Sequence, residues 1–352
     1  QVRTLPWIAV AYAMRFTGRK MLTIYHQAEQ LVQEQGDTSS VAEAHALSSG
    51  LKATLTRLGA DGIEELRRAC GGHGYLQFSG LVELYGDMML MFTGEGENYM
   101  IIQQLTRWLL KGHFGGGSGW ASFLAVDDSG PCNVSVKSDW LDIKTQLAAL
   151  QHRARRLVND ITVQVKASIS EGKAGEEAVK AVQWDGIQAA FAVGEALIAS
   201  AFAEGVFSVE PCLQPVLQSL CSLFCLNVLE KNSADLLLDG YVTRAQAMAL
   251  REQARALLDV IRPDAVALVD AFGFSDNELN SAIGAYDGDV YRRLLDWASK
   301  EPLNEGPVIK GWLEHLKPMM DLGRQMVQEK TGMPLAATGL IQTSVRSRTS
   351  KL

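Results

Sequence analysis

Apolar side chains recur every three or four residues along nearly the whole chain, a period that suits a helix with one buried face and does not suit a strand. Ala44, Leu47, Leu51, Leu55 and Leu58 step this way, as do Leu147, Leu150, Ala154, Leu157 and Ile161, and again Leu250, Ala254, Leu257 and Ile261. Alternation with period two is nearly absent at strand length. Ser40-Val41-Ala42-Glu43 and Ser275-Asp276-Asn277-Glu278 have capping-box spacing, in which hydroxyl and carboxylate reciprocally satisfy free amides at a helix start. With nine prolines in 352 residues, the pattern predicts an all-α fold of two consecutive helical bundles of the four-helix type.

Clustered Gly and Pro oppose continued helix. They gather in His113-Phe114-Gly115-Gly116-Gly117-Ser118-Gly119 and in Asp127-Asp128-Ser129-Gly130-Pro131. A linker is therefore expected over 113–138, between a first bundle over 1–112 and a second over 139–335. Residues 336–352 turn to Ala, Thr, Ser and Arg and are expected as a mobile tail. Residue 1 is Gln and the helical pattern starts almost at once, so the chain reads as the later part of a longer protein.

Charge and composition exclude several function classes. Forty acidic against 33 basic side chains leave a net charge of −7, without the clustered Lys and Arg that bind phosphate backbones, so nucleic acid is not an expected partner. The stretch from Val216 to Leu229 is interrupted by Gln218, Ser219, Ser222 and Asn227. It falls short of the ~20 residues a membrane span needs, and no span is expected. Five cysteines, at 70, 132, 212, 221 and 225, suit a reducing compartment better than a disulfide framework. Cys221 and Cys225, one helical turn apart, read as core. No two of the six histidines stand three or four residues apart, so no helical metal site is expected. Trp184, Trp297 and Trp312 read as core or inter-domain anchors.

Three segments carry candidate chemistry. Ser350-Lys351-Leu352 is expected as a peroxisomal address read by an import receptor. Gly71, Gly72 and Gly74, in Arg67-Arg68-Ala69-Cys70-Gly71-Gly72-His73-Gly74-Tyr75, allow close backbone approach and amides that face a pyrophosphate. A helix end and tight turn after Cys70 is the alternative account of the glycines, and by glycine content alone it is favoured. Glu95 and Glu97 flank Gly96 where a helix starts, and the helix dipole accounts for both. The alternative is a carboxylate beside an apolar cleft, with its pKa raised by desolvation for proton abstraction. Spacing alone favours the dipole.

Taken together, these blocks resemble the C-terminal half of peroxisomal acyl-CoA oxidases. In the first half the match lies in His45-Ala46-Leu47-Ser48-Ser49-Gly50-Leu51-Lys52, the run from Arg67 to Tyr75, Ser79-Gly80, Leu84-Tyr85, and Glu95-Gly96-Glu97-Asn98 with Arg107. In the second it lies in Asp270-Ala271-Phe272, Phe274-Ser275-Asp276, Leu279-Asn280-Ser281, Tyr286-Asp287-Gly288 and Pro302-Leu303-Asn304.

The resemblance implies FAD as cofactor, acyl-CoA and O2 as substrates, trans-2-enoyl-CoA and hydrogen peroxide as products, and a homodimer. It also implies N-terminal domains that supply most flavin and substrate contacts. Glu95 matches the base that removes the α-proton while the β-hydride passes to flavin N5, and Glu97 is secondary. Gly71, Gly72 and Gly74 match a turn set against the ADP part of the neighbouring subunit's FAD, and Asn98 matches a residue near the flavin. Relatives usually carry an aromatic residue before the base. This chain has Gly94, which implies a looser pocket. Two other classes stay open: a non-catalytic helical subunit or scaffold, and an acyl-CoA dehydrogenase with a protein electron acceptor, distinguished by the absence of peroxide.

Overall fold

A computed structural model describes residues 1–112, 119–126 and 130–332. Every regular element among them is helical, in agreement with the expected all-α class. The chain divides into two compact units, 1–281 and 282–352.

The first unit contains α1 (Leu5–Gln35), α2 (Val41–Ala69), α3 (Leu81–Thr93), α4 (Asn98–Leu110), α5 (Ile143–Ser170) and α6 (Gly175–Ala181). It continues with α7 (Gln183–Phe207), α8 (Gln214–Lys231), α9 (Ser233–Leu238), α10 (Arg244–Ile261), α11 (Ala265–Asp270) and α12 (Asp276–Leu279). Local chemistry sets their ends. Pro6 sits in the first turn of α1, and Gly36, at φ +67°, closes it by donating to the Val32 carbonyl. Asp142 caps α5 through the Lys144 and Thr145 amides. The expected box at Ser275 and Glu278 forms. The one expected at Ser40 and Glu43 does not. Ser40 has helical torsions, φ −84° and ψ −14°, and only an extended cap residue turns its hydroxyl back onto the first amides.

The core is organised around α7, which packs against α1, α2, α4, α5 and α8. Phe191, Leu197, Ile198 and Phe202 on it are buried, and its glycines admit neighbours closely: a Cβ at Gly205 would collide with the Phe16 ring, one at Gly186 with the Thr106 methyl. By length and composition α7 is apolar enough to cross a membrane, a feature the sequence expectation passed over in favour of Val216 to Leu229. Its most apolar window is 78% buried within the protein, as a central helix surrounded by other helices requires. Cys221 and Cys225 on α8 are buried free thiols, consistent with a core role.

The segment expected as a linker, 113–138, lies inside the first unit. Residues 113–118 and 127–129 are outside the described set; the rest is strapped onto the helices. The Trp120 indole donates to Ser200 Oγ at 2.8 Å, the Cys132 amide donates to the Tyr241 carbonyl at 2.9 Å, and Gln246 Nε2 donates to the Val134 carbonyl at 2.9 Å. Glycine stops a helix but does not prevent the aromatic and apolar residues beside it from packing, and here α7 joins helices from both sides of the segment in one core. Trp184, expected as a core or inter-domain anchor, is not a core residue: it is 62% exposed and faces Tyr99, ring centroids 6.2 Å apart.

One buried ionic cluster ties α5, α7 and the α8–α9 junction together. Arg153 donates to Glu195 at 2.7 Å, to Asp235 at 2.7 Å and to Asn232 at 3.0 Å. Both Arg153 and Glu195 are buried. Arg57 of α2 stands 3.9 Å from the other Glu195 oxygen and lies over the Phe191 ring.

In the second unit the described residues form α13 (Val290–Lys300), a 3-10 turn Pro302–Asn304, a π-helical turn Trp312–Leu316, and α14 (Lys317–Thr331). Asp287 accepts the Asp289 amide and an Arg293 guanidinium N–H, fixing the approach to α13. Residues 333–352, which include the expected tail with Ser350, Lys351 and Leu352, lie outside the described residues.

Candidate functional site

The first candidate element follows α2. After Cys70 the chain enters a 3-10 turn, Gly71–Tyr75, and its three glycines have different reasons for being glycine. Gly71 has φ +60°, a region that L side chains rarely adopt. At Gly74 a Cβ would run into the Arg67 carbonyl oxygen. Gly72 has neither constraint: its torsion is ordinary, it is exposed, and nothing lies within 4 Å of the place a Cβ would occupy. The fold accounts for two of the three glycines and leaves the Gly72 backbone open to a group from outside the chain. Tyr75 beside it is 76% exposed.

The second element joins α3 to α4. Gly94 donates to the Leu90 carbonyl at 2.6 Å, and a Cβ on it would stand 2.8 Å from that same oxygen. Glycine at 94 is thus fitted to a tight helix end, which is a physical reason for the missing aromatic. Glu95 follows at φ +57° and Gly96 at φ +104°. A non-glycine residue in this region costs about 1 kcal/mol or more and persists only where its surroundings hold it. Glu97 then returns to extended backbone and caps α4, its carboxylate accepting the Tyr99 amide at 2.9 Å and the Met100 amide at 3.3 Å. Glu95 is exposed and, among the described residues, its carboxylate has no hydrogen bond or ion pair.

Below this turn lies a polar cluster that joins Asn98, expected from the resemblance near the flavin, to Lys52, which sequence reasoning did not single out. Lys52 of α2 donates to the Gly96 carbonyl at 2.7 Å, to Asn98 Oδ1 at 3.0 Å and, more weakly, to the Phe92 carbonyl at 3.5 Å. Burial holds its pKa below the ordinary lysine value, while the carboxylates of Glu95 and Glu97 partly oppose that shift. Asn98 is 1% exposed and donates to the Ala53 carbonyl at 3.2 Å and to Thr56 Oγ1 at 2.9 Å. Its side chain is turned inward onto α2 and fastens the start of α4. Lys52 appeared in the sequence only inside a matching block, and one lysine among 33 cationic residues gives no spacing signal of its own.

The two elements are far apart. Cys70, the residue that ends α2, lies eighteen positions beyond Lys52, about 27 Å at the helical rise of about 1.5 Å per residue. Among the described residues nothing covers Gly71, Gly72 or Glu95, which are all exposed. An open cleft of about 850 Å³ between α4 and α6 is lined by Gln103, Thr106, Arg107, Glu176, Glu177 and Lys180 among others, and by none of the expected site residues.

The chain matches the family described as Acyl-CoA oxidase, C-alpha1 domain, over residues 1–110, and the family described as Acyl-CoA oxidase over residues 142–321. It is 35% identical to peroxisomal acyl-coenzyme A oxidase 1 of Rattus norvegicus over 331 residues, which is 91% of this chain and 50% of the relative. It is also 35% identical to peroxisomal acyl-coenzyme A oxidase 1 of Arabidopsis thaliana over 336 residues, 91% of this chain and 49% of that one. Among solved structures, Arabidopsis thaliana acyl-CoA oxidase 1 superposes with a TM-score of 0.84 at 34% identity, covering 91% of this chain and 49% of the other. Acyl-CoA oxidase-1 of Caenorhabditis elegans, solved with FAD and ATP, superposes with a TM-score of 0.84 at 32% identity and the same coverage. The chain spans about half the length of the curated relatives it matches. With family matches across both halves and a shared fold, it belongs to the acyl-CoA oxidase family.

Proposed function

We propose that this chain is the helical half of an FAD-dependent acyl-CoA oxidase and carries its proton-abstracting base, Glu95. The observation behind the proposal is the division of labour between two neighbouring carboxylates. Glu97 is committed to capping α4, whereas Glu95 is exposed on strained backbone with its carboxylate uncommitted among the described residues. Strain retained at an exposed acidic residue is characteristic of functional turns.

In this reading Glu95 takes the α-proton of the acyl-CoA, the β-hydride leaves, and the Cα–Cβ bond becomes the double bond of a trans-2-enoyl-CoA. FAD, when bound, supplies the hydride acceptor and, by reoxidation with O2, the hydrogen peroxide. The open backbone at Gly72 fits the approach of an FAD pyrophosphate from a second subunit, and the distance of that turn from Glu95 fits contact with two different cofactors in a homodimer. Asn98 is buried and serves as a support of the turn. The remaining flavin contacts are assigned to domains equivalent to the half of the relatives this chain does not cover. The relatives' printed names support a peroxisomal location, and Ser350-Lys351-Leu352 is proposed as the segment the import receptor reads.

The test uses the complete protein that contains this chain. An acyl-CoA should bleach the bound flavin anaerobically, and in air it should consume O2 with one hydrogen peroxide formed per enoyl-CoA. Flavin reduction without peroxide would favour a dehydrogenase with a protein acceptor. Absence of bound flavin would favour a scaffold.

A further inference from the structure

We propose that Lys52 is the positioning residue of the Glu95 turn. The inference rests on the reading of Glu95 as the base. The turn bends through two consecutive residues at positive φ, Glu95 and Gly96, and Gly96 alone of the two is excused by its lack of a side chain. Something must hold Glu95 in that state. On the C-terminal side Glu97 fixes the chain to α4 through its cap. On the side facing the core the single cation Lys52 gathers the Gly96 carbonyl, the Phe92 carbonyl and the Asn98 amide oxygen. It thereby ties the end of α3, the turn and the start of α4 to one point on α2.

The chemistry of lysine suits this task. Three donors on one ammonium meet three acceptors from three segments, and hydrogen bonds from a charged donor are about twice as strong as neutral ones. Asn98 is itself pinned by Thr56 and the Ala53 carbonyl, so the clamp rests on rigid helix. The charged groups facing Lys52 are Glu95 and Glu97. Its ammonium therefore also biases the uncommitted Glu95 carboxylate toward staying over the turn. Proton transfer from carbon tolerates little misplacement of the base. Loss of the clamp should lower the rate of the chemical step without changing how acyl-CoA binds elsewhere.

The test compares wild type, Lys52→Met, Lys52→Arg and Glu95→Gln in the complete flavin-containing protein. Lys52→Met keeps the apolar stem and removes the donors. The expected result is flavin reduction slowed by roughly 10- to 100-fold at saturating acyl-CoA, the loss expected for charged hydrogen bonds, with substrate Kd and FAD content unchanged. Lys52→Arg, which retains charge and donors, should recover a large part of the rate. Peptide-level hydrogen exchange should quicken over residues 94–100 in Lys52→Met, with the rest of α2 and α4 protected as in wild type.

Wild-type rate together with unchanged exchange over 94–100 in Lys52→Met would overturn the proposal. So would a rate loss matched by lost FAD and by faster exchange throughout α2, which marks a merely structural lysine. If wild-type protein reduced no flavin, or Glu95→Gln were as fast as wild type, the functional reading would fail instead. The exchange comparison would still decide whether Lys52 holds the turn.

Discussion

The Glu97 carboxylate accepts the Tyr99 amide at 2.9 Å and shares the Met100 amide, at 3.3 Å, with its own backbone carbonyl at 2.9 Å, which caps the start of α4. Replacing Glu97 by Ala should lower the stability of the chain by about 1 kcal/mol, the usual cost of a lost N-cap. Glu97→Gln retains an accepting oxygen and should cost less, with flavin reduction in the complete enzyme close to wild type. Thermal melts and single-turnover kinetics of the two variants check both statements. A deep catalytic loss in Glu97→Gln would show that the roles of the two carboxylates have been exchanged.

The glycine turn after α2 yields a paired prediction. Gly74→Ala places a methyl against the Arg67 carbonyl and should destabilise the fold by about 1–3 kcal/mol, as overpacked substitutions do. Gly72→Ala meets open space at an ordinary torsion and should change stability by no more than about 0.5 kcal/mol. If the turn faces a cofactor, Gly72→Ala should nonetheless retain less FAD through dialysis. Retention equal to wild type would mean that no cofactor approaches the Gly72 backbone.

Arg153 sits among Glu195, Asp235 and Asn232 with both Arg153 and Glu195 buried. Arg153→Leu leaves the Glu195 carboxylate with Arg57 as its remaining cation, at 3.9 Å. Truncating one partner of a buried pair typically costs ~3–5 kcal/mol, to be read from denaturant midpoints. Adding Glu195→Gln to Arg153→Leu should recover part of the loss, because the stranded charge is what makes the single variant costly. No recovery would mean that packing, not charge, carries the effect.

How much of this was legible in the sequence depended on whether a residue's role is local. The three-to-four spacing in α2, α5 and α10 is a property of one helix with one buried face, and it announced those helices directly. The apolar surface of α7 runs all the way round, so it has no period to detect, and its central place emerged only when helices from both sides were seen against it. Glu95 and Glu97 have the same residue type beside the same glycine; the resemblance alone chose between them, and what the structure adds is that Glu97 is spent on the cap of α4. Lys52, Asn98 and the fit of Gly94 against the Leu90 carbonyl depend on contacts across space or on backbone torsion, neither of which leaves a trace in spacing. The linker expectation weighed Gly content and gave too little weight to Trp120, Phe123 and Val134, which pack on the helices beside it.

Acid sensitivity follows from carboxylates spent on backbone amides. Asp139 accepts the Ser135 and Val136 amides, and these hold its pKa below the ordinary 3.8. The Ser275 amide and hydroxyl hold Glu278 below the ordinary 4.5. A folded pKa lying below the unfolded one contributes stability that is present above the unfolded value and lost as pH falls through the folded value. The melting temperature should therefore be insensitive to these two groups at neutral pH and decline below about pH 4. The double variant Asp139→Asn, Glu278→Gln should show a shallower acid decline. An acid limb of unchanged slope would remove these two groups from the account.

The most direct measurement is anaerobic flavin reduction by acyl-CoA in Glu95→Gln of the complete protein, with FAD content determined on the same sample. Gln preserves shape and hydrogen bonding but cannot accept the α-proton. A general base is worth ~10²- to 10⁴-fold, so flavin reduction should fall by at least that factor while FAD stays bound. Reduction at close to the wild-type rate would contradict the assignment of Glu95 as the base.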